Sequence, residues 1–362
     1  MELFYIWLTL VFNYNYSEIE KFLTFFDSPE EIFNLSSTQW HDFNLSENLI
    51  KKLTSKELKN KAESILTQCQ KENIQIILKN SKNYPKNLLN INSKPILLYI
   101  KGNLSVKDEF SFAIVGSRKC SDYGRIATTK IATELSNLDI PIVSGMARGI
   151  DSFAHSAAVN NQKRTIAVLG CGVNVIYPAE NKNLYNKIIE NGAIISEFIP
   201  NSEPLKPYFP LRNRIISGIS LGTLVVEASQ KSGSMITASY AAEQGKDIFA
   251  VPGNIFSSQS EGTNNLIKDG AKIVTKTEDI LEELYINLTN ISKQQMEIPV
   301  LTGNEKLLFD LINFEPISLE NLLSKSSLPL YELNSTLTVL ELSGYINKLS
   351  GNNFIRNEKY IL

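Results

Sequence analysis

From about residue 110 the apolar positions fall into short unbroken runs, each closed by a turn and most followed by a helix-period stretch. Phe112-Ala113-Ile114-Val115 runs into Gly116, with a helix expected from about Tyr123 to Leu138. Ile140-Pro141-Ile142-Val143 runs into Gly145 and Gly149, with a helix from about Asp151 to Asn160. Thr165 to Leu169 ends at Gly170 and Gly172. Three further strands are expected at Ala193–Ser196, Gly222–Val226 and Asp247–Val251, the last two joined by a helix from about Met235 to Gln244. Strands buried on both faces read as continuous apolar runs, and their alternation with helices predicts an α/β fold with a doubly wound parallel sheet. Ligands of such sheets sit beyond the carboxyl ends of the strands, where these glycine turns lie.

The flanks read differently. Residues 1 to about 68 carry short helical patterns, among them a start at Ser28-Pro29-Glu30-Glu31 with Ser28 as N-cap. The run Leu3 to Phe12 lacks a basic leader and a small-residue cleavage site, and it is about half the length needed to span a bilayer; a buried first helix is expected. Two strands, Ile74–Leu78 and Ile96–Ile100, open a region taken as 69–284. Residues 285–302 are polar and aperiodic, as in a linker. In 303–362, helices at Glu305–Phe314, Leu319–Ser324 and Tyr331–Leu342 precede a hairpin with an Asn/Gly turn, the outline of a winged-helix domain. Its carboxylates Glu315, Glu320, Glu332, Glu341 and Glu358 do not favour a groove-reading helix, so DNA binding and protein docking both stay open for it.

Composition narrows the chemistry. The net charge of −2 excludes a generally basic surface, so any nucleic-acid site must be a local patch. Cys69, Cys120 and Cys171 are odd in number and far apart, which fits a reducing cytosol. His41 and His155 are the only histidines, which removes most zinc and histidine-based catalytic schemes. Lysine is the usual cation, at 29 residues, yet six of the seven arginines lie between Arg118 and Arg214, among the glycine turns. Arginine's planar fork clamps phosphate in a way lysine cannot, so the cluster points to an anion site.

The densest segment is Pro204 to Ser217, in which Lys206, Arg212 and Arg214 surround Tyr208 and Phe209. Its three prolines predict extended backbone. Bases could stack on Phe209 while phosphates pair with the cations; Tyr208 reads as a core plug. Arg214 could instead face an internal carboxylate such as Glu227. Ser232-Gly233-Ser234 opens a helix, where free backbone N–H groups could hold a phosphate or the serines could simply cap it. Asp151 and His155, four residues apart, could brace their helix or serve as acid and base. No catalytic set emerges, and no loop matches the full dinucleotide or P-loop pattern.

Taken in order, the segments Ala113–Arg118, Tyr123-Gly124, Val143–Asp151, Ala154-His155, Tyr177-Pro178, Ser196-Glu197, Phe209–Ser217, Val226–Ala228, Ser232–Ser234, Val251–Asn254, Gly262–Ile267 and Gly270-Ala271 resemble the DprA/Smf family, the DNA-processing proteins of bacterial natural transformation. The resemblance covers about 105 to 282. The N-terminal region resembles that family's sterile-alpha-motif-like helical domain, with Asn13 to Tyr16 where glycines are often found, and the tail resembles its winged-helix domain. The resemblance implies an extended Rossmann-like fold, a cytoplasmic homodimer without membrane association, and single-stranded DNA binding that protects incoming DNA and loads the RecA recombinase. It implies neither catalysis nor a nucleotide cofactor. Carried over by motif, the DNA contacts are Ser117, Arg118, Lys206, Phe209, Arg212 and Asn213, with Ser232, Gly233 and Ser234 beside them. The fold also resembles the nucleotide phosphoribohydrolases of the LOG group, but after Glu227 the chain has Ser232 to Thr237 without that group's paired glycines or trailing glutamate.

Overall fold

The structure, a computed structural model, describes residues 1–26, 29–40, 43, 45–284, 301–313, 317–349 and 351–356. The expected cap Ser28 and positions 285–300 of the expected linker lie outside the described residues. The chain divides into two compact units, Met1–Asn287 and Leu288–Leu362.

The first unit is built on a sheet of β1 (Gln75–Leu78), β2 (Leu97–Gly102), β3 (Phe112–Val115), β4 (Ile142–Ser144), β5 (Thr165–Val168), β6 (Ala193–Ser196), β7 (Gly222–Val225), β8 (Asp247–Ala250) and β9 (Lys272–Ile273). Their order is β1-β2-β6-β5-β4-β3-β7-β8-β9. Strands β3 to β9 run parallel, while β1 and β2 are antiparallel at one edge. Every residue of β3, β5, β6 and β7 is buried, as their unbroken apolar runs require. From β3 the chain steps outward through β4, β5 and β6, then returns to lay β7 on the other flank of β3, pairing Ala113 with Thr223 and Val115 with Val225. The strand order therefore reverses between β3 and β7, which opens a crevice at their carboxyl ends.

Side-chain alternation divides the core between the two faces of the sheet. Leu97, Tyr99, Ala167 and Ile194 point to one face, and Leu98, Ile100, Ile166 and Ile195 to the other. The first face is covered by the N-terminal helices, chiefly Glu2–Val11 and Lys56–Lys71, whose Trp7, Leu8, Ala62 and Ile65 share its core. The apolar run near the N-terminus is thus a buried helix, as expected. Each fully buried leucine or isoleucine contributes about 1.5–3 kcal/mol of apolar transfer free energy. Elements not read from the sequence include the two-residue edge strand β9 and the helix Lys182–Asn191, whose apolar face is narrow.

In the second unit the helices Gly303–Leu311, Leu319–Ser326 and Leu330–Leu342 accompany β10 (Ile317–Ser318), β11 (Ile346–Leu349) and β12 (Asn353–Arg356), ordered β10-β12-β11. Leu308, Ile312, Leu322, Leu333, Leu337, Leu340 and Phe354 form its core. This is the expected winged-helix outline. The third helix carries no lysine or arginine, and it exposes Tyr331, Val339 and Leu342.

Candidate nucleic-acid interface

An open groove of ≈ 920 Å³ lies at the β3–β7 reversal, and Ser117, Arg118, Lys206, Phe209, Arg212, Asn213, Ser232, Gly233 and Ser234 all line it. Three chain segments far apart in sequence supply these residues: the turn after β3, the start of the helix Tyr208–Ile219, and the start of the helix Gly233–Glu243.

The turn after β3 is held by backbone. Ser117 N donates to Glu227 O (2.7 Å), Ile150 N donates to Ser117 O (3.2 Å), and Lys119 N donates to Ser117 Oγ (3.2 Å). Gly149 explains the close approach of the neighbouring turn. Its φ is +76°, and a Cβ there would collide with Ser117 O and come within 2.8 Å of Arg118 O. Arg118 projects from this turn into solvent, and its guanidinium lies 5.3 Å from the centroid of the Phe209 ring. A cation over an aromatic face is worth about 0.5–1 kcal/mol at an exposed site.

The helix Tyr208–Ile219 corrects one expectation. Residues 208–217 are not extended: Pro210 sits in the first helical turn, where its missing N–H leaves no hydrogen bond unmade. Helical spacing sends successive side chains in different directions. Tyr208 stacks inward on Phe198, with centroids 4.0 Å apart and planes 17° apart. Phe209 faces the groove, 5.5 Å from the Tyr177 ring, and Gly170 makes room for it, since a Cβ at Gly170 would come within 3.0 Å of Phe209 Cδ1.

Arg212 lies in the floor of the groove and is 4 % exposed. Its Nη1 donates to Gly145 O (2.8 Å) and to Val168 O, and its Nε donates to Asn213 Oδ1 (3.1 Å). Burial lowers its pKa to about 10, opposed by the nearby Asp151 carboxylate, so it stays charged at neutral pH. The guanidinium thereby ties the ends of β4 and β5 to the helix. Asn213 Nδ2 donates to Gly233 O (3.2 Å), which joins that helix to the Ser232 loop. Arg214 is also buried, and it pairs with Glu197, not with Glu227. Glu227 instead accepts from Ser121 N (2.8 Å) and Ser121 Oγ (2.5 Å).

Lys206 is exposed at the mouth of the groove. Ser232 caps the helix Gly233–Glu243, its Oγ accepting from Ser234 N (3.4 Å) and lying 2.8 Å from Ser234 Oγ. The capping reading of these serines is therefore realised, and the helix end still faces the groove. Asp151 accepts from Gly145 N (3.2 Å) and Ala147 N (3.4 Å), fixing the glycine turn; its pKa is raised by burial, with Arg212 opposing. His155 is fully buried against Thr165 Oγ1 (2.7 Å), and burial lowers its pKa to about 3. The two residues contact different partners, and burial keeps the His155 ring neutral near neutral pH.

Sequence reasoning named no role for Lys119, Tyr177, Ser258 or Gln259, which also line the groove. Tyr177 carried a signal, as an aromatic residue shortly after the Gly170–Gly172 turn. Gln259 reaches the site only through a long-range contact, its Nε2 donating to Lys119 O (2.5 Å). Among the described residues no group of three or more His, Cys, Asp or Glu could hold a metal ion. None of the described helices is long and apolar enough to cross a membrane.

Residues 75–285 match the family model for DNA recombination-mediator protein A, and residues 292–352 match the DprA winged helix domain. The chain is 38 % identical over 303 residues to protein Smf of Escherichia coli, covering 80 % of this chain and 79 % of that one. It is 46 % identical over 200 residues to the DNA processing protein DprA of Streptococcus pneumoniae, covering 55 % and 71 %. The X-ray structure of the S. pneumoniae protein aligns with a TM-score of 0.58 at 36 % identity, over 70 % of this chain and 95 % of that one. DNA processing protein A of Helicobacter pylori, solved to define its single-stranded DNA binding mode, aligns with a TM-score of 0.53 at 31 % identity, over 58 % and 96 %. Fold, paired domains and sequence agree: the chain belongs to the DNA recombination-mediator protein A family, also named DprA/Smf.

Proposed function

We propose that this protein binds single-stranded DNA in the β3–β7 groove, protects it during natural transformation or recombination, and loads RecA onto it. The observation that carries the reading is the convergence of a solvent-facing arginine, a stacking ring and a helix N-terminus on one groove. Arg118 and Lys206 take phosphates, Phe209 takes a base face, and the Ser232–Ser234 turn takes a further phosphate. Arg212 and Asn213 act from below, by holding the helix that presents Phe209. The acidic overall charge is compatible with this, because only the lip of the groove needs to be cationic.

The reading is non-catalytic and needs no cofactor. Glu227, the residue a LOG-type hydrolase would use, is engaged with Ser121. Release of base from AMP, abolished by Glu227→Gln, would overturn this part. The protein is further proposed to act as a cytoplasmic homodimer, with domains at 1–68, 69–284 and 303–362 joined by a linker at 285–302. Light scattering tests the dimer, and RecA filament growth on DNA coated with single-strand-binding protein tests the loading.

The direct test is an electrophoretic shift with matched single- and double-stranded oligonucleotides. Arg118→Ala and Lys206→Ala are each expected to weaken single-strand binding, and each to flatten the salt dependence by about 0.7 in log–log slope. Unchanged affinity in both variants would remove the site assignment.

A further inference from the structure

The loop that follows β8 carries the most exposed large apolar side chains of the first unit, Ile255 at 79 % and Phe256 at 92 %. Among the described residues no other ring lies against Phe256, so both of its faces are open. The loop does not hang free. Tyr123 Oη donates to Pro252 O (2.7 Å), Phe256 N donates to Asn254 Oδ1 (2.9 Å), and Ala228 N donates to Gln259 O (2.8 Å). Two and three residues beyond Phe256, Ser258 and Gln259 form part of the groove wall, and Gln259 is bonded to Lys119 of the cationic turn. An unpartnered aromatic ring therefore stands on a braced loop two residues from the groove wall, and Gln259 of that loop is bonded to the turn that bears Arg118 and Lys119.

We propose that Phe256 is a second stacking platform, which receives a base of the same single strand after it leaves the groove past Ser258 and Gln259. The inference rests on the groove reading above. It extends the bound length of DNA without adding charge: the strand is held by cations and Phe209 inside the groove and by a neutral ring outside it. An isolated ring suits unpaired bases, each of which offers an apolar face irrespective of sequence. It adds nothing for duplex DNA, whose bases are already stacked.

The test is a length series of fluorescently labelled oligo-dT titrated with the full chain and with Phe256→Ala. Short oligomers that fill only the groove are expected to bind both proteins alike. Longer ones are expected to lose about five-fold or more in affinity with the variant, at unchanged salt slope. Phe256→Trp supplies a second readout. Trp7 and Trp40 are fully buried, so the added indole is the exposed one, and its emission is expected to be quenched by long oligomers and not by short ones. Equal affinity of the wild type and Phe256→Ala at every length, with no quenching in Phe256→Trp, overturns the proposal. In that case Arg118→Ala still weakens binding, whereas loss of all single-strand binding by the wild type would refute the groove reading itself.

Discussion

Replacing Arg212 by alanine distinguishes a buried brace from a DNA-contacting cation. The wild-type guanidinium makes three hydrogen bonds inside the protein, to Gly145 O, Val168 O and Asn213 Oδ1, and it stands near the buried Asp151 carboxylate. Hydrogen bonds from a charged donor are worth about 1.5–3 kcal/mol each, but they are not additive, and removing one partner of a buried charge pair costs about 3–5 kcal/mol. The second figure sets the expectation. With a urea slope near ~3 kcal/mol/M, the unfolding midpoint of Arg212→Ala falls by at least about 1 M. Arg212→Lys keeps the charge but not the fork, so it falls between the two. The assay is urea unfolding followed by far-UV circular dichroism, paired with oligonucleotide binding measured well below the midpoint. Under those conditions the folded fraction of the variant should bind with an undiminished salt slope, since no phosphate contact has been removed. A midpoint within about 0.2 M of wild type, together with weaker binding and a flatter salt slope, would refute the reasoning and make Arg212 a phosphate contact.

Phe209→Ala is expected to weaken single-strand binding by about 1–3 kcal/mol at unchanged salt slope; loss of the thermal transition would instead make the ring a core plug. Gly149→Ala forces a Cβ against the carbonyls of Ser117 and Arg118 at a positive φ, so both stability and DNA affinity should fall, as read by thermal melts and gel shift. His155 has a folded pKa of about 3, below its ordinary 6.5, because it is buried. The unfolded chain takes up a proton below pH 6.5 that the folded chain refuses, so stability is complete above pH 6.5 and is lost as pH falls toward 3. His155→Gln should flatten that acid limb in urea titrations run from pH 7 to pH 4, and an unchanged limb would show that other groups set it.

The parallel strands were legible because burial on both faces leaves apolar runs such as Ala113–Val115 and Ile166–Val168 without polar interruption. The placing of the first turn was legible too, since a glycine and an arginine at the end of a parallel strand imply a loop at the sheet's crevice, and Gly116 and Arg118 line it. What misled was proline. Pro204, Pro207 and Pro210 suggested extended chain, yet a helix accepts proline in its first turn, and the helix turns Arg212 into the floor of the groove, while Arg214 faces an internal carboxylate as one reading allowed. The partner of Arg214 could not be chosen either. Glu197 and Glu227 both follow strands, and only the tertiary arrangement of β6 and β7 brings the first within reach and hands the second to Ser121. Phe256 drew no reading at all, because exposure of a ring is invisible in a linear pattern.

The shared core of the N-terminal helices and the sheet has a consequence for any attempt to trim the protein. A fragment starting at Gln75, the first residue of the family match, would leave Leu97, Tyr99 and Ile194 without the cover of Trp7, Leu8 and Ile65. Part of that face would then be wetted, next to the residues still covered by the helix Lys182–Asn191, although the groove lies elsewhere on the sheet. The head thus covers oil that the sheet alone leaves bare, and a shortened version would be expected to show lower solubility and a lower unfolding midpoint than the full chain.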